Sequence, residues 1–246
     1  MGQLQMSLSV PSAWNLPLDP VTAEDGHIYE RKCIEEHFRT HQGDHLKSPM
    51  TNEKMGKKLL PSFQVRNAIG KMVESGVIDG DLAHKWKERV KLKKEMDDLL
   101  SLAEEGDTEA MCNVGNWYFE GDNGVKQDYK LAYTWFKRAH DAGNVRGTAL
   151  LGVCTLRGVG VAQSESLGFI YLTKAAMQGS AMAAYCLGMA FANGMHGVSV
   201  NKAEAIHWLE KAIGEECPHE HGDGDFKNEA QQELNQLKAN QPATSR

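Results

Sequence analysis

The sequence predicts two folds in succession, a small α+β unit followed by an all-α solenoid of helix-turn-helix repeats. The length of 246 residues exceeds one ordinary domain and allows two modest ones. Gly115, Gly152 and Gly188 lie 37 and 36 residues apart in matching contexts, and a period of this length is typical of stacked helix pairs. The first eighty residues lack this period, so we expect a different fold there.

The composition excludes several classes of protein. The longest apolar runs are a few residues, well short of the roughly 18 that a membrane span needs. A net charge of −6 argues against binding nucleic acid by bulk electrostatics. The five cysteines are odd in number and widely spread, which does not fit a secreted disulfide scaffold. We therefore expect a cytoplasmic or nuclear protein with no secretory signal and with neither nucleic acid nor membrane as a partner.

In the first unit, turn residues and helical stripes alternate. The run 24–27 predicts a turn because of its Asp and Gly. A helix is predicted next, with Ile34, His37, Phe38 and His41 on one face. After a glycine loop and the run 48–52, a second helix from about 64 to 76 is predicted by a further apolar stripe. This stripe consists of Val65, Ile69, Met72 and Val73.

A long helix is predicted next, over residues 80–105. Its apolar positions are Leu82, Trp86, Val90 and Met96. Between positions 85 and 94 it holds six basic residues with Glu88 among them. This charge predicts either a solvated face or a surface for an acidic partner.

The second half repeats seven classes of residue in one register. In unit order they are Gly115, Gly152 and Gly188; Tyr118, Thr155 and Phe191; Gly121, Gly158 and Gly194; Asp128, Ser164 and Asn201; Ala132, Gly168 and Ala205; Trp135, Tyr171 and Trp208; and Ala139, Ala175 and Ala212. Asp, Ser and Asn are favoured helix N-caps, and glycine suits the left-handed end of a helix. Each unit is therefore predicted to be an antiparallel helix pair, with the Trp and Tyr positions in the core.

The repeats have a predicted helix at each end. Gly106 and Ala110 match the residues at the boundaries of the later units. The helix that ends near Glu105 therefore corresponds to the second helix of a preceding half unit. Residues 225–238 predict a helix that covers the last unit, since its apolar residues recur at helical spacing. These residues are Phe226, Ala230, Leu234 and Leu237.

Both halves resemble known families. The first half contains the segments Asp19-Pro20-Val21, 25–38, Ser48-Pro49-Met50-Thr51, Leu59-Leu60-Pro61 and 65–69. Together they resemble the U-box domain of ubiquitin ligases, over about residues 10–78. The glycine, aromatic and alanine pattern over about residues 99–216 resembles the Sel-one-like repeat, a relative of the tetratricopeptide repeat. The first resemblance implies a RING-like shape without zinc, held by hydrogen bonds and salt bridges. The second implies a surface that binds proteins.

The U-box resemblance also implies a groove that binds a ubiquitin-conjugating enzyme. Its first loop would be residues 10–14, its second residues 48–52, with a central helix beside them. The implied contact residues are Ser12, Ala13, Trp14, His37, Pro49, Met50 and Asn52. Ser12 stands where the family usually has isoleucine, and Asn52 stands where many active members carry arginine. Both departures would weaken the interaction with the enzyme.

Two clusters allow a metal-binding alternative. Cys33, His37, His41 and His45 recur every four residues, and Cys217, His219, Glu220, His221, Asp223 and Asp225 lie close together. Helical spacing alone is a weak sign of a metal site, so ordinary helix and turn positions are the favoured interpretation. We expect no metal ion and no other cofactor.

The combined prediction is a U-box ubiquitin ligase that binds a conjugating enzyme carrying ubiquitin through one half and a client protein through the other. No residue would form a covalent intermediate. The alternative is a non-catalytic interaction scaffold with a degenerate U-box. The predicted divisions are a tail (1–9), the U-box (10–80), a linking helix and half repeat (81–105), repeats (106–216, as 107–143, 144–179 and 180–216), and a loop, capping helix and tail (217–246).

Overall fold

The computed structural model describes residues 16–41, 46–121, 125–214 and 226–239. These residues form two compact units that divide between Glu95 and Met96. The first contains α and β elements, and the second is built from helices. The predicted fold class is confirmed. No helix in the described ranges combines the length and apolar character that a membrane crossing requires.

In its described residues, the first unit has three short strands and two helices before a long third helix begins. Its elements are β1 (Pro20–Ala23), β2 (Ile28–Glu30), α1 (Arg31–Thr40), β3 (Leu59–Pro61), α2 (Phe63–Glu74) and the start of α3 (Gly80–Glu105). The sheet is antiparallel in the order β2-β1-β3, with Val21 opposite Tyr29 and Pro61.

Two apolar clusters hold this unit together. One contains the sheet residue Val21 and the α1 residues Ile34 and Phe38. The other joins α2 to the start of α3 through Ile69 and Trp86. The predicted stripe of α2 is wrong at one position, because Met72 is exposed whereas Ile69 and Val73 are buried.

The second unit begins with the end of α3, and the part of it that the structure describes contains seven further helices. They are α4 (Thr108–Glu120), α5 (Tyr129–Asp141), α6 (Val145–Arg157), α7 (Glu165–Met177), α8 (Ala181–Asn193), α9 (Lys202–Ile213) and α10 (Phe226–Ala239). The helices α4 and α5, α6 and α7, and α8 and α9 form the three predicted pairs. Leu234 of α10 packs into the core cluster of the last pair, as predicted for a capping helix.

The predicted helix boundaries are confirmed in every repeat. Asp128, Ser164 and Asn201 each accept a hydrogen bond from the first turn of the helix that follows. Gly121, Gly158 and Gly194 end α4, α6 and α8 in the left-handed conformation, with φ of +75°, +70° and +66°. Two residue classes therefore set the ends of six helices.

The predicted core position of the second helices is only partly right. Trp135 is buried, but Tyr171 and Trp208 are half-buried. The fully buried position is the next residue in each helix, Phe136, Leu172 and Leu209. These side chains lie against Gly115, Gly152 and Gly188 of the paired helix, where no Cβ stands in the way.

Candidate functional site

The run of residues 48–52, called here the Pro49 loop, is a tight turn built around Ser48. The Ser48 hydroxyl accepts hydrogen bonds from the backbone N–H groups of Met50 and Thr51, both at 3.0 Å. The N–H of Asn52 donates to the Ser48 carbonyl at 3.0 Å. Met50 packs against the apolar cluster of the sheet and α1, while Pro49 is half-exposed. The turn therefore fixes the position of Pro49 at the surface.

Asp25, Tyr29 and Ser48, called here the Asp25 cluster, connect this loop to the turn between β1 and β2. The carboxylate of Asp25 accepts a hydrogen bond from Ser48 Oγ at 2.5 Å and another from Tyr29 Oη at 2.6 Å. The N–H of His27 donates to the other carboxylate oxygen at 3.0 Å. Three donors on one largely buried carboxylate make the loop and the turn a single rigid piece.

The electrostatics of the cluster agree with this arrangement. Burial acts to raise the pKa of Asp25, but the hydrogen bonds from Ser48 and Tyr29 outweigh it, so the pKa lies below the ordinary value. Burial and the hydrogen bond to Asp25 raise the pKa of Tyr29 to about 12. The carboxylate is therefore charged and the phenol protonated at neutral pH, as this donor–acceptor pattern requires.

A second polar group holds the chain that enters β1. The carboxylate of Glu30 accepts from the N–H groups of Leu18 and Asp19 at 2.6 and 3.2 Å. Arg31 pairs with Asp19 at 2.8 Å. On α3, Arg89 donates to the carbonyl of Leu16 at 2.9 Å. These bonds hold residues 16–19 to β2, α1 and α3.

Four of the seven implied contact residues lie in the described part of the chain. Pro49, Met50 and Asn52 share one loop, and His37 of α1 is adjacent because its Nε2 donates to the carbonyl of Lys47 at 2.7 Å. Ser12, Ala13 and Trp14 lie outside the described residues. The structure thus brings together the part of the predicted surface formed by α1 and the Pro49 loop.

Asn52 has a backbone property that its sequence context did not predict. Its φ of +61° lies in the left-handed region, which asparagine tolerates better than most other residues. The asparagine here therefore has a conformational role in closing the turn.

The described residues give little support to the metal-binding alternative. Among the described residues, no three His, Cys, Asp or Glu side chains are grouped so that they could hold a metal ion. The rings of His37 and His41 stack with centroids 4.4 Å apart, and His37 Nε2 is engaged by Lys47. His45 and residues 217–225 lie outside the described ranges.

The Asp25 cluster itself was not predicted from the sequence. The sequence pattern indicates only a turn at Asp25, and it places Tyr29 and Ser48 only within family motifs. A signal was present, because Ser48 precedes a proline in a loop and Asp25 precedes a glycine in a turn. What the sequence does not show is that these two turns face each other.

Comparisons with known proteins match both halves. A U-box domain model matches residues 9–77, and a Sel1 repeat model matches residues 108–144, 146–180 and 181–214. The ERAD-associated E3 ubiquitin-protein ligase component HRD3A of Arabidopsis thaliana is 38% identical over 58 residues, which is 24% of this chain and 9% of that protein.

Two solved structures are similar to the chain. The Sel1 repeat protein from Oxalobacter formigenes is 29% identical with a TM-score of 0.45, covering 58% of this chain and 98% of that one. The protective antigen c5321 of uropathogenic Escherichia coli, with an SLR fold, is 32% identical with a TM-score of 0.43, covering 48% and 25%. The two family matches, and the elements found at their residues, show that the chain carries a U-box domain followed by three Sel1 repeats.

Proposed function

We propose that this protein is a ubiquitin ligase whose U-box binds a ubiquitin-conjugating enzyme and whose Sel1 repeats bind a substrate or partner protein. The chain would promote transfer of ubiquitin to a lysine. The architecture supports this proposal, because a domain of the ubiquitin-ligase class is joined to repeats of a protein-binding class. The curated relative is named as a component of a ubiquitin ligase, although the match spans only 9% of its length.

The observation that most supports the proposal is the fixed Pro49 loop beside α1. A shallow docking surface gains affinity when its residues are held in the bound conformation before the partner arrives. The Asp25 cluster and the bond from His37 to Lys47 supply such a fixed arrangement. Pro49 and Met50 would offer apolar contact, and the U-box resemblance implies Trp14, outside the described residues, as a further contact.

The proposed mechanism is positioning. The thioester between the conjugating enzyme and ubiquitin already holds the reactive bond, so the ligase need only bring it to a lysine and restrict its orientation. Effective concentrations gained by such positioning reach very large values in intramolecular reactions. The chain would form no covalent intermediate and would use no cofactor.

The experiment combines the full chain with activating enzyme, ubiquitin and a panel of conjugating enzymes. We expect self-ubiquitination or free ubiquitin chains with at least one enzyme of the panel. Pro49→Ala should lower this product because it removes apolar contact from the docking surface. Pro61→Ala, at an exposed proline of β3, is the matched control and should keep the activity. A chain that is inactive with every enzyme would favour the non-catalytic scaffold instead.

A further inference from the structure

The second unit contains an apolar cavity of about 450 Å³ bordered by α4, α5, α6, α8 and the first residue of α10. Its apolar walls are formed by Phe119, Phe136, Leu150, Val153, Met182 and Phe226. A volume of this size falls in the range of ordinary ligand sites and can hold a large apolar side chain. The cavity is open to the surface.

The rim of the cavity carries charge at equivalent positions of neighbouring repeats. The last residue of α4 is Glu120, and the last residue of α6 is Arg157, one repeat later. Both line the cavity and both are exposed. The corresponding last residue of α8 is Asn193. The second repeat therefore contributes a positive charge that neither of its neighbours has at this position.

The guanidinium of Arg157 is available to a partner. Within the described ranges it has neither an ion pair nor a hydrogen bond. Its positive charge also affects the pKa of the thiols of Cys154 and Cys186, which line the same cavity. Burial raises the pKa of both thiols to about 11, and the charge of Arg157 opposes this rise. Arg157 therefore lies close enough to influence the interior of the cavity.

A second polar group on the wall fits a peptide backbone. The side chain of Asn116 is half-buried, lines the cavity and has no hydrogen-bond partner in the described part of the chain. An amide offers one acceptor and two donors, which matches the N–H and C=O of an extended peptide. Asn113, one turn earlier, is already engaged because its Oδ1 accepts from Arg146 at 2.8 Å.

We propose that this cavity binds an extended peptide segment of the partner protein, with a large apolar side chain inside the cavity and a neighbouring carboxylate paired with Arg157. Asn116 hydrogen-bonds the peptide backbone. Glu120 repels a second carboxylate on its own side, so the acidic residue must lie toward Arg157. This inference rests on the proposed function, in which the repeats hold the partner, and it specifies the chemistry of the segment that they hold.

The test measures fluorescence anisotropy of labelled dodecapeptides with the full chain. Each peptide has a central Leu-Phe pair in a Gly-Ser background, with two Asp, two Lys or two Ser placed on one side or the other of the pair. We expect an Asp peptide to bind about tenfold tighter than the matching Lys peptide, since a charge-assisted bond replaces a repulsion. Added salt should reduce this preference.

Charge reversal separates recognition from misfolding. Arg157→Glu should reverse the order, so that the Lys peptide gains affinity while the Asp peptide loses it; an unfolded variant cannot gain binding. Lys174→Glu, at an exposed position of α7, makes the same charge change and should keep the original order.

Equal affinity for the Asp and Lys peptides, absence of binding to all peptides, or an unchanged order in Arg157→Glu would overturn the inference. The peptide-binding measurements use no conjugating enzyme. A failed peptide experiment therefore leaves the ligase proposal open, and a failed ubiquitination experiment leaves the peptide result intact.

Discussion

The Ser48 hydroxyl links the Pro49 loop by hydrogen bonding to the turn between β1 and β2. It donates to the carboxylate of Asp25 and accepts from two N–H groups of its own loop. Ser48 is 3% exposed. If its hydroxyl were removed, the carboxylate and the N–H groups that bond to it could not freely form hydrogen bonds with water instead. Removing one partner from a buried polar cluster costs more than an average hydrogen bond contributes.

We therefore expect Ser48→Ala to lower the free energy of unfolding of the full chain by about 1–3 kcal/mol. Urea denaturation followed by circular dichroism measures this change. Ser75→Ala is the control, because Ser75 is exposed in the same unit, and its replacement should change stability by less than about 0.5 kcal/mol. Equal effects of the two variants would contradict the role given to Ser48.

The pKa of Asp25 predicts how the cluster responds to acid. Because this pKa is lowered in the folded protein, the carboxylate stabilises the fold at pH values above the ordinary pKa of aspartate. This contribution is lost as the pH falls through the pKa of the folded protein. Below that pKa, the carboxyl group is protonated in both the folded and the unfolded state. The difference in unfolding free energy between the native chain and Asp25→Asn should stay constant above about pH 5 and shrink below about pH 4. A difference in unfolding free energy that stays the same at every pH would contradict this prediction.

Asn52 should be sensitive to side chains that avoid a positive φ. Asn52→Arg introduces the residue of many active family members, but at φ +61° it should cost about 1 kcal/mol of stability. Asn52→Gly should cost little, because glycine adopts this conformation freely. Thermal denaturation of the two variants checks the order. An Arg variant as stable as the Gly variant would show that the backbone at this position is not constrained.

At the scale of the helix pair, an equivalent glycine in each repeat allows close approach of the two helices. A Cβ built on Gly188 would lie 2.7 Å from Cγ of Leu209, which is fully buried. Equivalent glycines meet Phe136 and Leu172 in the other two pairs. A side chain at this position must move the paired helix or the buried residue opposite.

Gly188→Ala should therefore destabilise the repeats by about 1–3 kcal/mol, although alanine is the better helix former by about 1 kcal/mol. Gly70→Ala in the middle of α2 is the matched control. Its Cβ would meet only the Trp86 ring at 3.4 Å, an ordinary contact, so helix propensity should dominate and stability should rise or stay the same. Chemical denaturation of both variants tests the contrast. A stabilising Gly188→Ala would contradict the packing described for α8 and α9.

The elements also show where prediction from sequence succeeds. Helix ends follow from local chemistry, so Asp128 and Gly121 could be placed from their residue types and spacing alone. Depth in the core does not follow so directly. Tyr171 fits the apolar stripe of α7, yet Leu172 is the fully buried residue, and it lies against Gly152 of α6. Such a contact depends on two helices at once.

For the whole molecule, the family motifs predicted both folds, but not the contacts that fix the candidate site. Asp25 and Ser48 are 23 residues apart in sequence, and only the folded sheet and loop bring them together. The same holds for Arg157 and Asn116, whose shared cavity depends on the stacking of neighbouring repeats. Local patterns specify elements, whereas sites formed by distant segments require their arrangement.

The proposed ligase activity requires that the chain accelerate transfer of ubiquitin from a conjugating enzyme. The most direct measurement is a single-turnover assay in which a conjugating enzyme already loaded with ubiquitin discharges to free lysine, with and without the full chain. We predict faster discharge with the native chain and with Pro61→Ala, and a rate near the spontaneous one with Pro49→Ala. Discharge that the native chain leaves unchanged across a broad panel of loaded enzymes would contradict the claim.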